Sequence, residues 1–324
     1  QGNIYTCDQY GSLFRISLNK SGIEKIKKLE SPGKAQGLLW AYGSLYMMSN
    51  YQSHSIIHRL WDKDNDGHFE KVEDILKLGG KGEHGPHAII QTPDKKNLYV
   101  VIGNFTKTPD IPSRGTRNWQ EDTLLEHMPD AGGFSANKKA PGGLVLKISP
   151  DGKEKEIFAS GLRNTYDIAL NPQGELFGYD SDADRDAGTP WYRPTRINHI
   201  VSGAEFGWRT GTSKWPDYYI DSLGAVIDIG PGCPTGMIFG TKTNWPAKYQ
   251  KALFAMDWTY GRIYAVHLDE KGASYTAKQE IFIQGKPLAV TDMDVGPDGH
   301  MYFTTGGRRL QSALYKVEYV GDNT

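Results

Sequence analysis

The chain has little cysteine, with Cys7 and Cys233 the two among 324 residues. Two cysteines are too few for a disulfide scaffold, and the sequence leaves open whether they pair. Positive charge is not in excess either, since 37 Lys and Arg face 38 Asp and Glu, which argues against a nucleic-acid partner. No run of 18 apolar residues occurs, so no membrane-spanning helix is predicted.

Several catalytic motifs are also missing. The sequence contains no Gly-x-Ser-x-Gly elbow and no P-loop, which argues against a serine hydrolase of that kind and against an NTPase. It contains no Cys-x-x-Cys-His haem attachment motif. The chain begins at Gln1 without a signal peptide, and we interpret it as the mature or trimmed form of a secreted or periplasmic protein.

What the chain does contain is a repeated pair of short strands separated by tight turns. The first strand of the pair carries an apolar–aromatic step in six copies, centred on Tyr5, Tyr46, Tyr99, Phe177, Phe254 and Tyr302. Repeated antiparallel units of this kind predict an all-β, six-bladed β-propeller that forms a single domain over residues 1–324. A large β-sandwich is the alternative.

Two long insertions interrupt the repeat, at about 105–141 and about 180–215. Both are rich in polar and charged residues. Long loops on a rigid β scaffold commonly carry function, so we expect the insertions to lie at one end of the channel and to contribute to a site there.

The segment Asp62–Glu73 resembles a calcium-binding loop. Hard Ca²⁺ prefers six to eight oxygen ligands, and alternate acids around a glycine turn can wrap them around one point. A polar hairpin that binds no metal is the alternative. The predicted ligands are Asp62, Asp64, Asp66, His68, Glu70 and Glu73.

Two histidines lie in the segment Gly82–His87, which precedes an apolar run that we interpret as the innermost strand of a blade. Loops at that place open onto the channel. Histidine titrates near neutral pH, so His84 and His87 are candidate acid–base or metal-binding groups. A structural histidine bonded to a neighbouring loop is the alternative.

The segment Gly161–Asp167 occupies the matching place in a later repeat. Arg163 offers a planar fork of donors for a carboxylate or a quinone oxygen, and Asn164 adds a donor and an acceptor. An arginine that only holds adjacent blades together is the alternative.

Acidic residues stand at every second position from Asp180 to Asp186, where they would repel one another unless paired or metal-bound. The aromatic Tyr192 and two arginines follow. Such a mixture suits sugar hydroxyls and a sugar ring face, although a charged solvent loop would look the same. The candidate cofactor-binding residues come from several loops: Arg163, Asn164, Asp167, Arg193, Arg196, Asp257 and Arg308.

The segments Gly82–His87 and Gly161–Asp167 resemble those of the planctomycete-type membrane-bound dehydrogenases, in their propeller domain. That group is related to the soluble quinoprotein (PQQ) sugar dehydrogenases, and the resemblance covers nearly the whole chain. It implies pyrroloquinoline quinone (PQQ) as cofactor. It also implies that His84 is the base that takes the sugar hydroxyl proton and that Arg163 and Asn164 contact the quinone. Larger relatives often carry a haem domain, so a haem or other electron-acceptor domain is an expected partner.

Three functions from different classes follow from these residues. The first is oxidation of a sugar or polyol, with hydride transfer to PQQ and His84 as base. The second is a cofactor-free carbohydrate lyase or hydrolase, in which His84 or His87 works with Tyr192 or Tyr166 as acid and base. A uronate carboxylate would be neutralised by Arg163, Arg193 or Arg196. The third is a glycan-binding module without turnover.

Overall fold

The computed structural model of the chain is a nearly all-β ring of six antiparallel sheets. The residues that it describes are 2–8, 10–19, 21–80, 82–115, 119, 134–135, 138–184, 192–209 and 213–321. The predicted six-bladed β-propeller is confirmed. About half of the insertion at about 105–141 lies outside the described residues, as does Asp186 of the acidic run.

The first and last blades have three strands, and the four between them have four strands each. The strands of the first three blades are β1 (Asn3–Cys7), β2 (Leu13–Asn19), β3 (Gly22–Leu29), β4 (Ala35–Ala41), β5 (Ser44–Asn50), β6 (His54–Trp61), β7 (Lys71–Gly79), β8 (Pro86–Gln91), β9 (Leu98–Ile102), β10 (Gly143–Ile148) and β11 (Lys155–Leu162).

The last three blades continue the same pattern, with one short hairpin inserted in the fourth. Their strands are β12 (Asp167–Leu170), β13 (Leu176–Asp180), β14 (Thr195–Ile200), β15 (Trp208–Arg209), β16 (Ser213–Lys214), β17 (Ile227–Gly230), β18 (Pro234–Phe239), β19 (Leu253–Asp257), β20 (Arg262–Lys271), β21 (Ser274–Gln284), β22 (Val290–Val295), β23 (Met301–Thr305) and β24 (Ala313–Val317). Blade four is β12-β13-β14-β17, and β15-β16 is the inserted hairpin.

The first strands of blades two to six, β4, β8, β12, β18 and β22, pack side by side around the central channel. Successive side chains of a strand point to opposite faces, so both faces of a blade can be buried. Strand β9 shows this: Leu98 and Val100 pack between blades two and three, whereas Tyr99 and Val101 pack between blades three and four. The core is therefore a series of apolar layers between neighbouring blades.

Tight turns join the strands at the end of the channel opposite the long insertions. The turns at 92–95, 171–174 and 296–299 each connect the first and second strands of a blade. Asn171 shows why the sequence turns there, since its Oδ1 accepts hydrogen bonds from the backbone N–H of Gln173 and Glu175.

Helix contributes little to the described residues. The strand connection between β18 and β19 contains a 3₁₀ turn over Gly240–Lys242 and a four-residue helix, α1 (Ala247–Gln250). In the part of the chain that the structure describes, no helix has the length and apolar character needed to cross a bilayer.

Candidate active site at the channel mouth

Three loops meet at the end of the channel where each inner strand begins. They are residues 82–85 before β8, residues 103–105 after β9 and residues 163–166 before β12. Backbone bonds join them, because Asn104 N–H donates to the carbonyl of Arg163 (2.8 Å) and Phe105 N–H donates to the carbonyl of His84 (3.1 Å). We call this junction the mouth.

Two glycines allow the loops to approach so closely. A Cβ on Gly103 would lie 2.3 Å from Asn164 Oδ1 and 2.6 Å from the carbonyl oxygen of His84. Gly161 has a φ of +78°, and a Cβ there would lie 1.7 Å from a carboxylate oxygen of Glu205. Any larger residue at either position would push the loop away, so these glycines fix where His84 and Asn164 lie.

The His84 ring is oriented by an amide rather than by a carboxylate. Its Nδ1 lies 2.6 Å from Asn104 Oδ1, and the residue is 5% exposed. The ring packs against Phe105 (4.5 Å between centroids) and Phe134 (5.3 Å). An amide oxygen only accepts, so Nδ1 carries the hydrogen and the neutral ring keeps its lone pair on Nε2. This is the tautomer that a general base needs.

His87 lies beneath the mouth and orients Asn164. Its Nε2 is 2.8 Å from Asn164 Oδ1, and its ring stacks on Tyr166 at 4.4 Å. Burial lowers the pKa of His87 to about 4, against smaller opposing contributions from Asn164 and the Glu83 backbone. The ring is therefore neutral at pH 7 and donates to Asn164, which fixes the direction of that amide.

Asp180, at the end of β13, anchors the Arg163 loop from below. Its carboxylate accepts the backbone N–H of Arg163 (3.2 Å) and of Asn164 (2.9 Å) and the hydroxyl of Thr165 (3.2 Å). Lys214 Nζ lies 3.3 Å away, and both side chains are almost completely buried. One buried carboxylate thus holds three consecutive residues of the mouth.

Charge decides the ionisation of this buried cluster. Burial alone would raise the pKa of Asp180, but Lys214, Arg196 and the two backbone donors outweigh it and hold the pKa below its usual value. Burial lowers the pKa of Lys214 to about 8, although Asp180 opposes this shift. The pair is therefore ionised at pH 7.

The Arg163 guanidinium is 4% exposed and is held on several sides. Its Nη1 donates to Ser181 Oγ (2.9 Å), its Nη2 lies 4.0 Å from Asp184 Oδ1, and its plane lies over Phe134 at 5.7 Å. A guanidinium fixed in this way is preorganised at the mouth.

The other predicted residues of the second insertion have different surroundings. Arg196 is buried beside Asp180 and donates to the carbonyl of Phe206 (2.7 Å), so it supports the blade interior. Arg193 pairs through its backbone with Ala183, which closes the base of the loop. Tyr192 is 45% exposed, and burial of its hydroxyl and neighbouring acids raise its pKa to about 12. Such a phenol keeps its proton near neutral pH and is not available there as a general base.

Carboxyl groups line the channel below the mouth. Asp167 on β12 accepts the backbone N–H of Ile168 and of Met237, each at 2.7 Å. Burial and the nearby Asp292 raise the pKa of Asp167 well above its usual value. Asp292 lies on the channel wall. Loss of solvation by the protein around it, with a smaller contribution from Asp294, raises its pKa to about 6. These carboxyl groups therefore take up protons more readily than exposed ones do.

Asp257 and Arg308 come from blades five and six. Asp257 is fully buried and accepts the backbone N–H of Cys233 (3.0 Å), and burial raises its pKa. Arg308 lies over the Trp258 ring at 5.5 Å and 3.6 Å from a carboxylate oxygen of Glu83. Arg308 thus reaches the loop that carries His84, whereas Asp257 shapes the β17–β18 connection.

Cys7 and Cys233 are both free thiols in the structure. Burial, with smaller contributions from Asp292 and Asp8, raises the pKa of Cys7 to about 12. Burial also raises the pKa of Cys233 to about 11. Both sulfurs are therefore protonated and weakly nucleophilic at neutral pH.

The predicted calcium loop connects β6 to β7 at the end opposite the mouth. Two of the predicted ligands, Asp66 and His68, do not belong to the cluster of carboxylates in this loop. Asp66 Oδ1 instead accepts the backbone N–H of His68. Glu73 lies on β7 and pairs with Lys71 at 3.2 Å. Three of the six predicted ligands have carboxylate oxygens within 4.8 Å of one another: Asp62, Asp64 and Glu70.

Sequence reasoning did not assign roles to three residues that build the mouth. Asn104 closes β9 twenty residues after His84, in the run Val101-Ile102-Gly103-Asn104, and a polar residue directly after a buried strand was the available signal. Asp180 stood at the end of a buried strand within the acidic run. No sequence signal pointed to Lys214, because it reaches Asp180 from the β15–β16 hairpin.

Comparison with known proteins supports these features at the level of family and fold. A glucose/sorbosone dehydrogenase family model matches residues 34–314. An oxidoreductase (glucose dehydrogenase) of Thermus thermophilus is 17% identical, with a TM-score of 0.68 over 98% of this chain and 93% of that one. The PQQ-bound aldose sugar dehydrogenase of Streptomyces coelicolor is 16% identical, with a TM-score of 0.66 over 97% of this chain and 90% of that one.

At these identities the likeness to solved structures shows the fold. The soluble aldose sugar dehydrogenase of Escherichia coli, in its apo form, gives 13% identity and a TM-score of 0.61 over 93% of this chain and 89% of that one. No curated protein matches the chain. The planctomycete type suggested by the sequence remains a prediction. The family model matches residues 34–314, which are most of the 324 residues of this chain. This chain therefore belongs to the glucose/sorbosone dehydrogenase family.

Proposed function

We propose that this propeller oxidises a hydroxyl group of a sugar or polyol at the mouth, with His84 as the general base and PQQ as the cofactor. The carrying observation is the 2.6 Å contact between His84 Nδ1 and Asn104 Oδ1, which leaves Nε2 as the proton acceptor. The same loops present Arg163 and Asn164 beside it. Base and donors thus meet at one place on a sugar dehydrogenase fold.

The donors at the mouth fit the carbonyl oxygens of the quinone. Arg163 and Asn164 are consecutive, and Asp180 holds both by their backbone N–H groups. Gly103 leaves the space in which a larger side chain would overlap Asn164. Arg163 and Asn164 would hold PQQ by donating to these oxygens. When bound, PQQ supplies the acceptor for the hydride of the hydroxyl-bearing carbon.

The protein's own part in the reaction is to orient the hydroxyl and to take its proton. His84 Nε2 accepts the proton, and Asn104 stabilises the resulting imidazolium through Nδ1. His87 stays neutral and keeps the Asn164 amide in one orientation. The acids near the mouth can accept hydrogen bonds from other hydroxyl groups, which suits a neutral polyhydroxyl substrate better than a uronate.

We propose further that the chain works in a secreted or periplasmic setting and passes electrons to a haem or other acceptor domain. Calcium, the other expected cofactor, binds in this proposal at the opposite end of the propeller and takes no part in the chemistry at the mouth. The family supports the sugar substrate, and the solved PQQ-bound relative supports the cofactor.

The direct test combines cofactor binding with turnover. Purified protein is incubated with PQQ and Ca²⁺, and dye reduction is measured across a panel of aldoses and polyols, with binding followed by equilibrium dialysis. We expect PQQ to bind at micromolar concentration and dye reduction to depend on both PQQ and sugar. Sugar binding without turnover, or no PQQ binding at micromolar concentration, would contradict the proposal.

PQQ affinity is expected to increase as the pH falls from 8 to 5. Burial and Asp184 raise the pKa of Asp182 to about 6, and the pKa of Asp292 is also about 6. Both acids therefore lose charge across this range, which removes repulsion against the cofactor's carboxylates. We expect Kd to fall about tenfold, equivalent to about 1.4 kcal/mol. Titrations at several pH values measure it.

The matched variant for this prediction is Asp182→Asn. It removes one of the two titrating charges, so its Kd at pH 8 should be lower than that of the wild type and should change less with pH. An unchanged pH dependence in this variant would show that Asp182 does not face the cofactor.

A further inference from the structure

The loop between β6 and β7 carries an acidic cluster that the chemistry at the mouth does not use. Asp62, Asp64 and Glu70 each place a carboxylate oxygen within 4.8 Å of the others. Asn65 (φ 60°) and Gly67 (φ +86°) adopt left-handed backbone conformations, which curl the loop around this point. Three like charges held so close repel one another unless a cation lies between them.

A second, independent observation at the same place is a buried carboxylate oxygen. Asp62 is 4% exposed, and its Oδ2 accepts the backbone N–H of Gly67 at 3.0 Å. Its Oδ1 is buried and has no hydrogen-bond partner among the described residues. Leaving a charged oxygen buried and unpaired costs free energy. A bound cation would remove this cost, because it accepts the lone pairs of Oδ1.

The loop is also fastened to the neighbouring blade. Arg15 on β2 donates to the backbone carbonyls of Asn65 (2.9 Å) and Asp66 (3.0 Å), and Lys27 on β3 donates to the carbonyl of Asp66. Phe69 is buried in the apolar layer between blades one and two. Whatever orders this loop therefore also orders the joint between these blades.

We propose that Asp62, Asp64 and Glu70 form a Ca²⁺ site that fastens blade one to blade two. The ligands are all carboxylate oxygens, without sulfur or imidazole, which favours a hard cation over zinc or copper. Ca²⁺ rather than Mg²⁺ fits a flexible loop that can add backbone carbonyls or water to reach six to eight ligands. The proposal is independent of the sugar chemistry, because the site lies at the other end of the channel.

Terbium luminescence tests metal binding directly. Tb³⁺ replaces Ca²⁺ at oxygen sites, and Trp61, adjacent to Asp62, can sensitise its emission. We expect sensitised emission from the full chain that excess Ca²⁺ displaces and that the Asp62→Asn variant lacks. The matched control is Asp151→Asn, which changes an exposed acid in a turn of blade three. Emission from D62N equal to that of the wild type would overturn the site.

Thermal unfolding separates a metal site from a merely structural carboxylate. With Ca²⁺ at about a hundred times its Kd, we expect Tm of the wild type to rise by about 4 °C over its value in chelator. In chelator, D62N should be at least as stable as the wild type, because it loses repulsion and keeps an acceptor for Gly67. A D62N variant that is less stable in chelator and insensitive to Ca²⁺ would overturn the proposal.

Amide hydrogen exchange tests the joint between the blades. Ca²⁺ should slow exchange in β2 and β3 as well as in the loop, and it should leave β20 and β21 in blade five unchanged as an internal control. Protection confined to residues 62–70 would overturn the fastening role. Tb³⁺ emission without a Tm shift would overturn the fastening role as well. None of these measurements depends on turnover or on PQQ binding, so they test the metal site separately from the proposed function.

Discussion

The His84→Gln variant is expected to lose nearly all sugar oxidation while it keeps its fold and its binding of PQQ. Glutamine fills much of the imidazole's space but cannot accept the hydroxyl proton, and a positioned general base commonly contributes about 10²–10⁴-fold to a rate. We therefore expect kcat to fall at least a hundredfold, with little change in the Kd of PQQ. Steady-state dye reduction and equilibrium dialysis measure the two quantities.

Control variants distinguish a catalytic base from a structural histidine. His267→Gln removes an imidazole that lies on β20 next to Glu280 (2.9 Å), so its kcat should equal that of the wild type. Asn104→Ala should lower kcat by losing the acceptor of Nδ1, and Asn104→Asp should restore much of it because a carboxylate also accepts that hydrogen. If H84Q keeps more than a tenth of the wild-type kcat, His84 is not the base.

The Asp180→Asn variant is expected to be the most destabilised of the substitutions at the mouth. It leaves the buried cations of Lys214 and Arg196 without their carboxylate and weakens the anchor of the Arg163 loop. Removing one partner of a buried ion pair typically costs about 3–5 kcal/mol. Urea unfolding near pH 7 measures this, because Lys214, with a pKa of about 8, is then charged.

The pH dependence of this effect has a definite sign. The pKa of Asp180 is lower in the folded state than in the unfolded chain. Its stabilisation is therefore fully present above about pH 4 and is lost as the pH falls through the lower folded value. The difference in unfolding free energy between wild type and D180N should accordingly shrink on acidification below about pH 4.

The double variant D180N/K214M provides the internal control. Removing Lys214 together with the charge of Asp180 takes away most of the uncompensated positive charge, so the double variant should recover part of the lost stability. Asp221→Asn changes an exposed acid in the connection between β16 and β17. It should change the free energy of unfolding by less than about 0.5 kcal/mol. A double variant that is less stable than D180N alone would contradict the buried ion pair.

Much of the architecture could be predicted because its causes are local. The apolar–aromatic step recurs once in each blade, on β1, β5, β9, β13, β19 and β23. Both faces of a strand such as β9 are buried by neighbouring blades. The turn at Asn171 depends on hydrogen bonds within four residues. The three carboxylates of the Asp62 loop also meet through short-range spacing, whereas Glu73 belongs to the following strand.

The roles of the predicted site residues were less accessible. His84 and His87 are three positions apart, yet one orients on Asn104 and the other is buried against Tyr166 and holds Asn164. The tautomer of His84 follows from its contact with Asn104, and burial keeps His87 neutral. The spacing of two histidines along the chain predicts neither the burial of each ring nor the residue that it contacts.

The sequence by itself determined the propeller, its repeat and the acidic loop, because strand alternation and turn chemistry act between residues that are close along the chain. Only the tertiary structure decided which side chains meet at the mouth. Asn164 contacts His87 across 77 residues, and Lys214 reaches Asp180 from an inserted hairpin. Such contacts exist because neighbouring blades pack around one channel, which brings loops together by their position in the ring and not by their separation in sequence.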